Sequence, residues 1–320
     1  MNTLPELFVC PKCRSQIDIG ENGASCSCGS IFPKRKSAFD FRVVLEDKER
    51  NWDSEVFDSA YEKADTGFED GMLHALNAGI PEFAERYRQD SKERPVKEFI
   101  ASKHPERLLD LGCGCGWFCY ELAEYSEGTL FYGIDVSAFR INVFKDEIRK
   151  RASENRMECA LANGEALPFS DNVFDIVVMR EVLEHLQDPS GTIMEVCRVL
   201  KDGGYLVITT PTKLMTDFWE FASLVPTFFK RLVRKETLFK KVTEAAYDSP
   251  LSVSAIKKAA NTAGYEIEKW DKVIFLPHES YLQFIPSRIL KLMIKTARVI
   301  GKLPFLGFLG LHHVIFLRKA

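Results

Sequence analysis

Residues 108–118 read LLDLGCGCGWF, and no other stretch restricts the possible folds as strongly. An apolar run ends in Asp110, glycines follow at 112, 114 and 116, and an apolar helix-forming stretch, Trp117–Ala123, comes next. The order is strand, tight turn, helix start. Glycine lets a backbone approach a ligand with no Cβ in the way, and a helix N-terminus just beyond it offers free N–H groups. The stretch therefore predicts a nucleotide-type cofactor site at the end of a strand.

The surrounding sequence alternates in the matching way. From Pro95 onward the pattern predicts strands at 107–111, 130–134, 157–161, 174–179 and 205–210. Helices are predicted at 96–102, 117–125, 139–152 and 192–200, and a turn at Lys201–Gly204. Strands alternating with helices imply a parallel sheet with helices on both faces. The unbroken apolar run at 174–179 suits a strand buried on both sides. Ligands of such sheets lie beyond the carboxyl ends of the strands. Asp110, Gly112, Asp135, Asn163 and Arg180 all fall at or just past such ends.

The glycine spacing is G-x-G-x-G, and Trp117 stands where a dinucleotide fingerprint would place its third glycine. A carboxylate at Asp110 would repel a pyrophosphate but suit a ligand carrying an ammonium and a sulfonium. Asp135, 19 residues after Gly116, is placed to accept hydrogen bonds from ribose hydroxyls. S-adenosylmethionine has a ribose, an adenine, two positive centres and no phosphate, so it fits these residues better than NAD.

Five segments in order then carry a resemblance: LLDLGCGCG (108–116), GIDVS (133–137), NGEALPFSDNVFDIVV (163–178), REVLEHLQDP (180–189) and LKDGGYLVITTP (200–211). Together they resemble the class I S-adenosylmethionine-dependent methyltransferases of the type 11 group. The resemblance implies an α/β fold: a Rossmann-like, mostly parallel seven-stranded sheet closed by a late antiparallel pair, with 265–270 and 313–317 as its candidates. It implies that the loop of Gly112, Cys113, Gly114 and Gly116 passes under the methionine part and that Asp135, with Val136, holds the ribose. Asn163 and Gly164, with Glu165 beside them, would meet the adenine edge; Asn163 stands where the family more often has Asp, and an amide oxygen still accepts from the adenine amino group. Asp110 and Arg180 complete the implied cofactor set. The cofactor supplies the leaving group, so the protein mainly positions the nucleophile. Arg180, Glu181 and His185 are the candidates where a base is needed. His185 lies in EVLEHL, shared by relatives with many substrates, which suits a loop-holding role as well as a base.

Near the N-terminus, Cys10 and Cys13 form one pair and Cys26 and Cys28 a second. Two such knuckles suit a tetrahedral thiolate site for a structural Zn2+, since four thiolates leave no open position. The other reading is four ordinary cysteines in a loop. The segment resembles the zinc-ribbon module that precedes some methyltransferases, including a ribosomal-RNA guanine methyltransferase group, although the second pair is CxC rather than CxxC. The organisation read from the sequence is a zinc-ribbon-like module at 1–45, a helical connector or lid at 46–95, and a methyltransferase domain at 96–320 with extra helical segments at 213–247 and 280–305.

Nine cysteines, three of them inside the cofactor stretch, point to a reducing compartment. No signal-peptide pattern opens the chain and no charge-free apolar run approaches the roughly 18 residues of a membrane span. A cytoplasmic location is expected, with a peripheral membrane component. From Ser280 to Ala320 there are seven cations and no acid; against a net charge of −3 this leaves −10 for the rest. The cations at 288, 291, 295, 298 and 302 recur at helical spacing, one stripe on an otherwise greasy helix. A second apolar segment, 213–241, ends in Lys230, Arg231, Arg234, Lys235, Lys240 and Lys241. These segments predict either an anionic membrane surface as partner, with a small-molecule, isoprenoid or lipid-linked acceptor, or plain packing on the domain with a solvated stripe. Methylation of rRNA or tRNA is the alternative from another class; the pI near 6.1 and the sparsely charged ribbon argue against a nucleic-acid partner. A catalytically silent partner protein with this fold is the third, and the intact glycine loop argues against it. Oligomeric state is not set by the sequence.

Overall fold

The computed structural model describes residues 7–43, 79–219, 221, 250–301 and 303–320. The remaining parts of the connector and of segment 213–247, including the six cations from Lys230 to Lys241, lie outside the described residues. The chain opens with a small antiparallel sheet in the order β1 (Ile17–Gly20), β2 (Gly23–Cys26), β3 (Ile31–Arg35) and β4 (Ala38–Phe39). So short a segment cannot enclose a core alone, and it does not. Phe8, Phe39 and Phe41 pack together, and Phe8 stacks on Phe169 of the main domain with centroids 5.3 Å apart. The Val9 amide donates to the Pro168 carbonyl at 3.0 Å, and Asp40 forms a parallel bridge with Leu161.

α1 (Glu82–Lys103) leads into the main domain. The expected boundary between residues 95 and 96 falls inside this helix, and Pro95 sits within it without ending it. β5 (Arg107–Leu111), α2 (Trp117–Tyr125), β6 (Leu130–Asp135), α3 (Ala138–Lys150), β7 (Met157–Leu161), β8 (Phe174–Arg180), α4 (Pro189–Val199) and β9 (Leu200–Pro211) follow. The helix starts are written locally. Ser137 accepts from the Arg140 amide at 3.2 Å, and Asp188 accepts from Gly191 at 2.9 Å with Pro189 in the first turn. The expected turn at Lys201–Gly204 is instead part of β9, because Leu200 pairs with Phe174 and an irregularity near Phe174 absorbs the glycines.

Helical residues 213–219 come next, then α5 (Val253–Thr262), β10 (Tyr265–Val273), α6 (Ser287–Ile300) and β11 (His312–Lys319). The sheet has seven strands in the order β10-β11-β9-β8-β5-β6-β7. β5 to β9 are parallel, and β11 runs antiparallel to both its neighbours, which bears out the expected late pair. Successive side chains of β5 serve opposite cores, Leu109 and Leu111 on one face and Leu108 on the other. A third apolar cluster joins Ala84 and Tyr87 of α1 to Leu290, Ile294 and Ala297 of α6. Strand order reverses beside β5, between β6 and β8, which is where a ligand crevice opens in such a sheet.

β11 also holds a titratable group. His313 is buried, and its Nδ1 accepts from the Trp270 indole at 2.9 Å. Burial first, then Lys272 and His312, push its pKa from 6.5 down to about 4. A proton on Nδ1 would face the indole N–H. The folded pKa is depressed, so this contribution to stability is complete above about pH 6.5 and is lost as pH falls toward 4. Thermal midpoints measured across that window should fall in the native protein and stay flatter in His313→Asn. Parallel slopes for the two proteins would contradict the assignment.

Candidate active site

The glycine loop leaves β5 and enters α2 with all three glycines at positive φ. At two positions the requirement is also steric. A Cβ on Gly112 would lie 2.3 Å from Val182 Cγ2, and one on Gly116 would lie 2.1 Å from the Phe144 ring. The Gly112 and Cys113 amides both donate to the Ile134 carbonyl, which ties the loop to the end of β6. Cys113, Cys115 and Cys119 are buried, and burial pushes the Cys113 and Cys119 thiols well up, so both stay protonated filler.

Asp110 is fully buried beneath this loop. Cys119 Sγ lies 3.7 Å from its Oδ2, and Oδ1 accepts no hydrogen bond among the described residues. Burial raises the Asp110 pKa, and the positive charge of Arg180 opposes that rise. Asp135, ending β6, accepts from the Gly114 amide through Oδ2 and from the Ser137 amide through Oδ1, both at 2.9 Å. Its carboxylate therefore fixes the glycine loop and the start of α3 together. Asn163 lies two residues past β7, with Gly164 packed near Thr192. Burial raises the Glu165 pKa, and its Oε1 has no partner among the described residues. Asp110 and the loop thus lie at the end of β5, Asp135 with Val136 at the end of β6, and Asn163 just past β7, three adjacent parallel strands.

Arg180 ends β8, Glu181 follows it and His185 lies on the turn beyond, and the partners of Arg180 and Glu181 were not visible in the local sequence. Arg180 caps the Phe118 ring at 3.7 Å and donates to Glu93 of α1 at 3.2 Å. Glu93 also pairs with Lys97, which reaches Glu121 of α2. Glu181 has φ 53° and accepts from the Thr209 hydroxyl at 2.9 Å. Lys92 of α1 stands 3.5 Å from its carboxylate, and His312 Nε2 stands 2.9 Å away. Burial works against the Glu181 carboxylate, yet His312, Lys92 and Thr209 hold its pKa well below the ordinary range. His312 Nδ1 is buried and meets no partner among the described residues. Glu181 and His312 thus form a carboxylate–imidazole contact that sequence reading passed over. The signal was weak, because His312 comes 131 residues after Glu181. His185 sits half-buried on the short 3₁₀ turn Leu183–His185, while Glu184 of the same turn points inward to the Thr210 hydroxyl.

The four N-terminal sulfurs converge within 4.8 Å of one another. Cys10 and Cys28 are 3.7 Å apart and Cys13 and Cys26 are 3.4 Å apart. Sulfurs around a tetrahedral zinc, each about 2.3 Å from the ion, would stand ~3.8 Å apart. Hydrogen bonding with Ser30 holds Cys28 at about 6. The Cys28 amide favours the Cys26 thiolate, but burial and the other three sulfurs push Cys26 up to about 12. Four thiols crowded in this way suit a cation, and the donor set fits Zn2+ rather than a hard oxygen-seeking ion.

Beyond the crevice, α6 buries only Leu290, Ile294 and Ala297. Arg288, Lys291, Lys295 and Arg298 are exposed, and so are apolar side chains between and beside them: Leu292 (64%), Phe284 (77%) and Phe305 (70%). No helix among the described residues is long and apolar enough to cross a membrane.

A family model described as a methyltransferase domain matches residues 102–273. An uncharacterized methyltransferase of Schizosaccharomyces pombe is 36% identical over 109 residues, 32% of this chain and 39% of that protein, so the match spans about two fifths of that relative. The ubiquinone/menaquinone biosynthesis C-methyltransferase UbiE of Xylella fastidiosa is 27% identical over 240 residues, 71% of this chain and 87% of that protein. Among solved structures, a geranyl diphosphate methyltransferase in complex with GPP and sinefungin aligns with a TM-score of 0.50 at 15% identity, covering 71% of this chain and 78% of that one, a likeness of fold.

Proposed function

Since the chain belongs to the class I S-adenosylmethionine-dependent methyltransferases, we propose that it methylates an apolar small molecule with an isoprenoid- or acyl-type tail, taken from an anionic membrane surface. The residues fit the donor. All three loop glycines have positive φ, which turns the chain tightly between β5 and α2, and Asp110 Oδ1 lacks the donor that an ammonium would supply. Asp135 would hold the ribose, and Asn163 with Gly164 the adenine edge. The bound cofactor supplies a methyl on a sulfonium, whose C–S bond breaks as the acceptor atom attacks in line. The protein's task is then to exclude water and hold the acceptor at about 3–3.5 Å. Zn2+ at Cys10, Cys13, Cys26 and Cys28 would be structural.

The observation that carries the acceptor reading is α6, where exposed cations stand among exposed apolar side chains. A helix of this composition lies flat on an anionic bilayer, its apolar residues in the acyl boundary and its cations on headgroups. The similarity to the ubiquinone/menaquinone biosynthesis C-methyltransferase is in keeping with a quinone-like acceptor. Removing residues 280–320 would be a poor test, because β11 is an interior strand. Charge reversal of Lys291, Lys295 and Arg298 to Glu leaves the sheet intact. At roughly 1 kcal/mol per cation near such a surface, merely removing three charges should lower partitioning onto anionic vesicles about a hundredfold in flotation, and reversing them should lower it further. Methyl-labelled cofactor incubated with a cell lipid extract should carry label into the organic phase. Equal flotation of the two proteins, or label confined to water-soluble products, would refute the reading.

A further inference from the structure

The strand leaving the cysteine module does not simply hand the chain on. Asp40 pairs in parallel with Leu161, and the Phe41 amide donates to the Leu161 carbonyl at 2.8 Å, so the module is tied to β7 by a single bridge. The next two residues turn into the cofactor crevice. Arg42 donates through Nη1 to the Val136 carbonyl at 3.0 Å. Its Nε and Nη2 grip the Asp40 carboxylate at 2.9 and 2.7 Å, which fixes the plane of the guanidinium. The Val43 amide donates to Asn163 Oδ1 at 2.9 Å. Val136 follows the ribose-side carboxylate Asp135, and Asn163 is the adenine-side residue. Two backbone segments separated by more than ninety residues from the module therefore take their places from it.

The geometry points to the cysteine module as a wall of the methyl-donor site, with Arg42 as a positioning residue through which metal at Cys10, Cys13, Cys26 and Cys28 and cofactor in the crevice strengthen each other's binding. The inference rests on the donor and metal assignments above. Its physical content is simple. A module this small needs the ion to hold its shape. Once shaped, it fixes Asp40–Val43, and that segment fixes the loops on which ribose and adenine rest. A ligand that meets ordered loops binds more tightly than one that must order them. Linkage makes the effect reciprocal, typically by 5- to 150-fold.

The test uses the full chain reconstituted with zinc. Calorimetric titration with S-adenosylhomocysteine should give about tenfold weaker binding in Arg42→Ala. Arg42→Lys should recover only part of the loss, since an ammonium reaches a carbonyl but cannot also bracket Asp40. Zinc affinity, measured by competition with a chromogenic chelator, should rise about tenfold with saturating cofactor in the native protein and stay constant in Arg42→Ala. Unchanged cofactor affinity in Arg42→Ala, with its circular dichroism intact, overturns the inference. So does a native zinc affinity indifferent to cofactor. Failure of the premises looks different: a native protein that binds no cofactor removes the donor site, and one that takes up no zinc removes the metal centre.

Discussion

Asp135→Ala is expected to weaken S-adenosylmethionine binding at least a hundredfold in calorimetry. The carboxylate ends β6 and already accepts the Gly114 and Ser137 amides, one on each oxygen. Each oxygen keeps a second lone pair for a ribose hydroxyl. Hydrogen bonds to a charged group contribute about 1.5–3 kcal/mol apiece, so losing two to the ligand amounts to ~3 kcal/mol or more. The substitution also releases the loop from the start of α3, which leaves the site less ordered before binding. Asp135→Asn should fall between, because the amide oxygen preserves one of the two backbone ties. An alanine variant that binds cofactor as the native protein does would place the ribose elsewhere.

Gly116→Ala is expected to lower unfolding stability by about 2–5 kcal/mol. Gly116 has φ 80° and opens α2. A left-handed conformation costs an L-residue about 1–2 kcal/mol. The added methyl would also stand 2.1 Å from the Phe144 ring, and overpacking a tight core costs about 1–3 kcal/mol. At this size that loss corresponds to a thermal midpoint lower by roughly 3–7 °C. Phe144→Ala separates the two causes. Alone it leaves a cavity in the core, but combined with Gly116→Ala it makes room for the new methyl, so the double variant should lose less than the two single losses added together. A Gly116→Ala protein that melts with the native one would mean the loop has another path.

Local chemistry was legible from the sequence where it is written locally. β5 and α2 run over the same residues as expected, because an apolar run, three glycines and a helix start dictate them in one reading frame. The late antiparallel pair and the four-sulfur cluster also appear where the motifs put them. What could not be read are contacts that only folding brings about. Arg42 and Val136 are 94 residues apart, and nothing in either segment names the other. Glu181, one of three candidates with Arg180 and His185, has His312 of β11 beside it. Residues 46–95 read as a connector or lid, and nothing in that sequence named the pairs that Lys92 and Glu93 of α1 make with Glu181 and Arg180. The turn expected at Lys201–Gly204 lies within β9 as an irregularity: Leu200 pairs with Phe174 and Tyr205 with Ile176, and Gly203 keeps a positive φ between them.

The position of β11 bears on how the molecule comes into being. It is made after β10 but lies between β10 and β9. While the chain is still emerging from the ribosome, β9 has no neighbour on that side and β10 has none at all. Both present unpaired backbone edges that other chains can add to. The sheet closes only when Val314–Leu317, all four buried, slot into the gap. Nascent chains stalled before this point should be preferred substrates for chaperones and proteases.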